Sequence, residues 1–267
     1  MIIRHDIDPA LYIVEPAQFP AIVAVDGGAD EVLITYDNID RLLKPSLIPD
    51  IELAPEMYNR CDGMGTLISP SWILTAAHVA IELSTDKTIK LNDQPYAIQQ
   101  IVLHPGFIND LEGADISQIK NDIALIALTQ PVTDVSPLPL YPKTDELNKI
   151  TTLVGQGDYG NGLIGPDSVD TKTRIATNRI EKVSDQWLIF KFDAPPDTTE
   201  REGIAGPGDR GGPALIQTAT GWAIAGISAA QDSGRLGMGC YGVWEYYTRV
   251  SQHVDWIESI TQPIYQR

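Results

Sequence analysis

Short apolar runs broken by turn-forming residues set the rhythm of this chain. Residues 19–26 (FPAIVAVD) read as a first strand, apolar and β-branched. MGTLISPSWILTAAHVA, residues 64–80, gives a strand, a Ser-Pro turn and a second apolar run. IKLNDQPYAIQQIVLHP and NDIALIALTQPV continue the pattern up to a proline-rich crossing at residues 131–142. Beyond it the pattern resumes in ITTLVGQG, RIATNRIEKVS, QWLIFKFD, PALIQ, GWAIAGISAA and EYYTRV. Only residues 251–262 (SQHVDWIESITQ) carry a helical period, with Val254, Ile257 and Ile260 on one face and Ser251 as the expected N-cap. Many strands, frequent turn signals and one terminal helix predict an all-β fold built from barrels.

A length of 267 residues suits one domain or two closely joined subdomains. The 22 glycines and 19 prolines are scattered, which fits many tight turns and argues against a single linker. Nineteen basic against 36 acidic residues leave a formal charge of −17, which disfavours nucleic acid or an anionic membrane as a partner. No apolar run approaches the roughly 20 residues needed to span a bilayer. MIIRHDID lacks the apolar stretch of a signal peptide. The chain is therefore expected in the cytoplasm or, where a signal has been trimmed, in an extracellular or periplasmic space. Cys61 and Cys240 permit one disulfide, require none and make no metal site by themselves.

Three segments carry chemistry, in the order His, Asp, glycine-rich turn. His78 in LTAAHV follows an apolar strand and two small residues, which let an imidazole stand in a cleft. Asp122 in NDIALIAL precedes an apolar strand, where a carboxylate can be buried against an imidazole N–H and fix its tautomer. In GPGDRGGPAL, residues 206–215, glycines flank Asp209 and Arg210 and let backbone N–H groups converge. Each alone is weak, but their order is specific.

On these motifs the chain resembles the trypsin/chymotrypsin family, in particular its bacterial trypsin-like members. His78 matches the general base, Asp122 the orienting acid, and GDRGGP at 208–213 the Gly-Asp-Ser-Gly-Gly-Pro motif with one change. Gly155-Gln156-Gly157 resembles the turn opening the second barrel, and YYTRVSQHVDWI the closing strand and helix. The resemblance, from about residue 19 to 260, implies two antiparallel six-stranded β-barrels with a C-terminal α-helix. The expected division is a first barrel over 1–137 with a loop insertion at 27–60, a second over 138–250 and a helix over 251–262.

The one change bears on chemistry. Arg210 stands where the resemblance puts the nucleophilic serine, and a guanidinium has no hydroxyl and cannot form an acyl-enzyme. The resemblance therefore implies an inactive protease scaffold that binds a peptide or protein in its cleft. The alternative is an active serine endopeptidase whose serine was replaced in this chain. Gly208 and Arg210 would supply oxyanion-type N–H groups. Asp209 would take a freed amino group at Ile2, which Met1 would block, or else Ile2 and Ile3 form an edge strand. In the specificity pocket Ile204 would be the floor, with Ser228, Ala205, Ala229 and Ala230 around it. Glu245 would enter that pocket and favour a basic side chain, or would pair with Arg210. No cofactor is implied, and a monomer is expected.

Overall fold

The structure, a computed structural model, describes residues 1–25, 63–108, 116–170 and 172–262. The strands, in chain order, begin with β1 (Ile2–Ile3), β2 (Ile22–Ala24), β3 (Met64–Ser69), β4 (Trp72–Thr75), β5 (Thr88–Leu91), β6 (Gln94–Leu103) and β7 (Ala124–Leu128). After the crossing come β8 (Ile150–Gly155), β9 (Tyr159–Asn161), β10 (Gly165–Ser168), β11 (Arg174–Val183) and β12 (Trp187–Lys191). β13 (Gly203–Ile204), β14 (Pro213–Thr218), β15 (Gly221–Asp232) and β16 (Trp244–Arg249) complete the set. A one-turn helix α1 (Ala77–Ala80) follows β4, and α2 (Val254–Thr261) lies near the C-terminus.

The first six-stranded sheet has the order β2-β3-β4-β7-β6-β5 and curls until its edge strands β2 and β5 approach each other. The second closes fully as β11-β12-β16-β15-β14-β8. This is the expected architecture of two antiparallel six-stranded barrels with a C-terminal helix. Alternation explains the strands that face solvent on one side. In β5, Ile89 and Leu91 turn inward while Thr88 and Lys90 stay exposed. By contrast every residue of β7 is buried, because Ala77 and Ala80 of α1 cover Ala124 from outside. One apolar cluster spans the barrels, with Val154, Leu215, Ile224 and Ile227 of the second packed with the core of the first.

Two boundaries differ from the sequence reading, and a third expectation falls outside the described residues. β2 is shorter than the expected 19–26, because Pro16–Gln18 form a 3₁₀ turn and the strand begins at Ile22. The 27–60 segment lies outside the described residues. The N-terminal residues do not join the first barrel: Met1, Ile3 and Tyr12 pack with Leu153, Leu188, Phe190 and Tyr247 of the second. β1 there forms a small sheet, order β10-β9-β1-β13, with Ile2 opposite both Ile204 and Gly160. A terminal pair of strands has no local pattern that names its neighbours.

The C-terminal helix also starts later than expected. His253 is the residue before its first turn, and Ser251 sits in a preceding 3₁₀ turn where its hydroxyl donates to Glu146 (2.7 Å). Glu146 is fully buried and also accepts from Arg249 Nε (2.9 Å) and Nη2 (2.8 Å). Burial pushes this carboxyl up, but the hydrogen bonds from Arg249 and Ser251 outweigh it and hold it below its ordinary value. His253 meets His104 edge-on at 5.1 Å, and His104 meets Trp256 at 4.8 Å, so imidazoles tie the helix to the first barrel.

Two stability predictions arise from these contacts. Arg249→Leu strands a buried carboxylate, so denaturant unfolding should show a loss of about 3–5 kcal/mol. Burial, and secondarily His104, push His253 down from 6.5 to about 4. The fold thus binds fewer protons than the unfolded chain between these values. The resulting stability is intact above pH 6.5, is lost as pH falls through 4, and amounts to about 3 kcal/mol. Unfolding free energy measured across that interval should fall less steeply in His253→Gln than in the unaltered chain.

Candidate active site

His78 and Asp122 are brought together at the seam between the barrels. β4 ends at Thr75, and α1 turns His78 back toward the residues leading into β7. His78 Nδ1 lies 2.6 Å from Asp122 Oδ2, and the His78 backbone N–H donates to Asp122 Oδ1 (2.9 Å). A carboxylate only accepts, so Nδ1 carries the proton and Nε2 is left as the basic nitrogen. Asp122 is buried, while His78 keeps partial exposure. From the second barrel the Thr248 hydroxyl donates to the Asp122 carbonyl (2.8 Å), a contact the sequence reading missed. Thr248 lies in the YYTRV strand, whose apolar pattern gives no sign of a polar role for it.

The glycine-rich turn crosses the same seam. The Met64 N–H donates to the Arg210 carbonyl (2.6 Å), and the Thr75 hydroxyl donates to the Met64 carbonyl (2.7 Å). Gly211 has φ +82°, and a Cβ there would stand 2.2 Å from the Met64 carbonyl and 2.4 Å from the Thr75 hydroxyl. Only glycine fits such an approach. Within the turn, Asp209 N–H donates to Gly206, Gly211 N–H to Ser228 and Gly212 N–H to Asp209. The N–H groups of Gly208 and Arg210 find no acceptor among the described residues.

Asp209 is 2% exposed and its carboxylate is fully engaged. Oδ1 accepts from Gly157 N–H (2.7 Å), and Oδ2 accepts from Gly206 N–H (2.8 Å). Oδ2 also lies 2.5 Å from the α-amino nitrogen of Met1, which donates to the Asp158 carbonyl as well. This corrects the expected pairing: the amine meeting Asp209 belongs to Met1, and Ile2 is one residue farther along, inside β1. The Gly155-Gln156-Gly157 turn is the partner surface. A Cβ at Gly155 would fall 2.0 Å from Asp209 Oδ1, and one at Gly157 would fall 2.2 Å from the Pro207 carbonyl.

The residues expected around the pocket are only partly brought together. Arg210 Nη1 lies 3.4 Å from Glu245 Oε1 and 3.5 Å from the Ser228 hydroxyl, so of the two readings of Glu245 the pairing with Arg210 is seen. Glu245 is fully buried, and its Oε2 accepts from the Ala205 N–H (3.0 Å). Burial pushes Glu245 up to about 7 against the pull of Arg210. The Ile204 side chain packs with Ile2, Phe192 and Val243, where β13 pairs with β1. Ala229 packs against Ile119 and Trp187, with Ala230 at the margin of that cluster, at a bulge between β15 and β16. Cys240 is a free thiol, and Cys61 lies outside the described residues. Among the described residues no group of three His, Cys, Asp or Glu side chains is placed to hold a metal ion.

Removing the Asp209 carboxylate should be costly, because it leaves a buried amine and two buried N–H groups without their acceptor. Asp209→Ala is expected to lose about 3–5 kcal/mol in denaturant unfolding. It should also increase hydrogen exchange across residues 155–158 and 206–212.

Comparison with known proteins bears on the same span. The trypsin family model matches residues 57–257. A tryptase from Mus musculus is 28% identical over 223 residues, covering 72% of this chain and 76% of the tryptase. That span takes in most of both barrels, the seam holding His78 and Asp122, and the turn at Asp209, so the chain belongs to the trypsin family of serine proteases.

Proposed function

We propose that this chain is a trypsin-family scaffold that does not hydrolyse peptides and that binds a peptide or protein segment in the cleft between its barrels. The observation that carries this reading is the residue at 210. It sits in the turn that resembles the family's nucleophile motif, and it offers a guanidinium in place of a hydroxyl. That guanidinium is directed to Glu245 and Ser228. An arginine stays protonated, so it can neither attack a carbonyl nor hand a proton to His78.

The rest of the machinery supports binding. His78 is oriented by Asp122 with Nε2 as its basic atom, as a proton acceptor would need to be. The N–H groups of Gly208 and Arg210 could receive a carbonyl oxygen, the role of an oxyanion hole. Without a nucleophile these donors hold a carbonyl group and leave its bond intact. Family members bind peptide substrates, and an extended peptide is the ligand whose carbonyls suit such a site.

A second reading is favoured by how much is retained. The His78–Asp122 pair and the Asp209 ion pair are both formed, which suits an endopeptidase whose serine alone was replaced. With a serine hydroxyl at 210, His78 would accept its proton as the oxygen attacks the scissile carbonyl. The same proton would then pass to the leaving amine. In a serine protease, removal of the nucleophile costs about 2 × 10⁶ in turnover.

The test compares the unaltered chain with Arg210→Ser, both with the Met1 terminus, on basic and apolar peptide panels and with a covalent serine-hydrolase probe. The unaltered chain should neither cleave nor be labelled. The variant should be labelled and gain at least about 10³-fold in cleavage, within the loss that absence of a nucleophile causes. Cleavage by the unaltered chain would overturn the reading. Inactivity of both would show that the cleft has lost more than one hydroxyl and would refute the second reading.

A further inference from the structure

β8 and β14 are neighbours in the second barrel, but the ladder between them is short. It pairs Ala214 with Leu153 and Leu215 with Thr152, and ends there. Both strands run on past it, β14 to Thr218 against β15 and β8 back to Ile150 against β11. Beyond Leu215 they form a fork. Alternation along an antiparallel strand says which backbone groups look into it. The Ile224 N–H donates to the Pro139 carbonyl and the Ile224 carbonyl accepts from Tyr141, so Ile224 turns away from Leu215 opposite it. Leu215 therefore turns toward β8, and so, two residues on, does Gln217. On the other arm, the Thr177 N–H donates to the Arg201 carbonyl, so Thr152 opposite it turns away from β11. Two residues back, Ile150 does the same. Gln217 and Ile150 thus aim backbone N–H and C=O groups into the fork from its two sides, beyond the last pair of the ladder.

The fork encloses a cavity of about 420 Å³, a size at which ligands are commonly held. Tyr141 and Ile216, both buried, line it, and Ile150 stands exposed at its edge. Its charge is unlike that of the chain. Against a formal −17, it gathers Lys143 and Lys149 with a single acid, Asp145. That acid is already engaged, accepting from the Tyr141 hydroxyl (2.6 Å) and lying 3.3 Å from Lys149 Nζ. Lys143 has no ion pair among the described residues. The fork also lies away from the seam, since β8 leads from it to Gly155 beside Asp209, roughly 17 Å along the strand.

The geometry points to this fork as a docking site for an extended, acidic segment of a partner protein. The segment adds as a strand on the backbone of Gln217 or Ile150, and its carboxylates meet Lys143 and Lys149. An extended backbone is the ligand that matches N–H and C=O groups aimed into a gap between strands, and acidic side chains match the local charge. A second copy of this chain is the poorer occupant, because two bodies of charge −17 repel each other. The site is separate from the cleft between the barrels and does not depend on the residue at 210.

The probe is a capped hexapeptide of alternating valine and glutamate, titrated into the full chain and followed by NMR. One control carries lysine in place of glutamate, and a second is N-methylated along its backbone so that it cannot pair as a strand. The acidic peptide should bind at least about tenfold more tightly than either control and should slow hydrogen exchange at the Gln217 and Ile150 amides. Lys143→Glu combined with Lys149→Glu should weaken it at least about tenfold. Absence of binding at millimolar peptide, equal binding of a control, unchanged exchange at those two amides, or indifference to the lysine pair overturns the proposal. Acetate that displaces the peptide at equal concentration reduces the fork to an anion site and overturns it likewise. So does dimerisation abolished by the lysine variant, which makes a second copy the occupant. Should the double variant not fold, the two control peptides and the exchange rates still decide. Protection at Gly208 and Arg210 in place of Gln217 and Ile150 refutes this site and supports the inter-barrel cleft. Protection confined to the fork, in a chain whose cleft takes no peptide, refutes the reading of the cleft alone.

Discussion

The buried carboxylate of Asp209 is the constraint around which the second barrel's loops are arranged. An ionised group at 2% exposure is tolerable only if its lone pairs are filled, and here they are filled by an amine and two backbone N–H groups. Each donor comes from a different segment: β1 at the N-terminus, the Gly155–Gly157 turn after β8, and Gly206 before the glycine-rich turn. Satisfying one carboxylate therefore fixes three loops relative to one another. It also fixes the direction in which the chain emerges at Arg210. The closeness of Gly155 and Gly157 to this group is a consequence, since any Cβ there would displace an acceptor or its neighbour.

Glu245 presents the opposite case a short distance away. Its burial is similar, but its compensation is incomplete, and its affinity for a proton is raised accordingly. Two anions close together in a dry region cannot share one amine. Asp209 holds the amine, and Glu245 is left with a loosely placed guanidinium. Arg210 supplies positive charge beside this buried carboxylate.

Much of this was legible from local pattern. Short apolar runs between turn signals, such as IKLNDQPYAIQQIVLHP and RIATNRIEKVS, marked stretches that do form strands. His78 and Asp122 were picked out by their positions at the ends of apolar runs, and the fold brings them within 2.6 Å although they lie 44 residues apart. Errors fell where pattern carries no information about partners. β1 is two residues long, so nothing local tells whether it lies on the first barrel or the second. Ser251 is a sound N-cap by type, but Glu146 offered its hydroxyl a buried anion, and the helix began after His253. The motif likewise said nothing of the apolar cluster of Ile204 with Ile2, Phe192 and Val243, which pairing with β1 creates.

The sequence by itself determined the all-β class, the rhythm of the short strands, and the His, Asp, glycine-turn order. Those properties follow from side-chain periodicity and turn chemistry acting over a few residues. It also determined that position 210 carries a permanent cation without a hydroxyl. Only the tertiary structure decided which amine neutralises Asp209, which hydroxyl joins Asp122, and where the Arg210 guanidinium comes to rest. Met1 and Asp158 are 157 positions apart, and Arg210 and Glu245 are 35 apart on different elements. Their meeting is set by how the barrels close and pack, and the strength of each charge is set by the burial that this closure imposes.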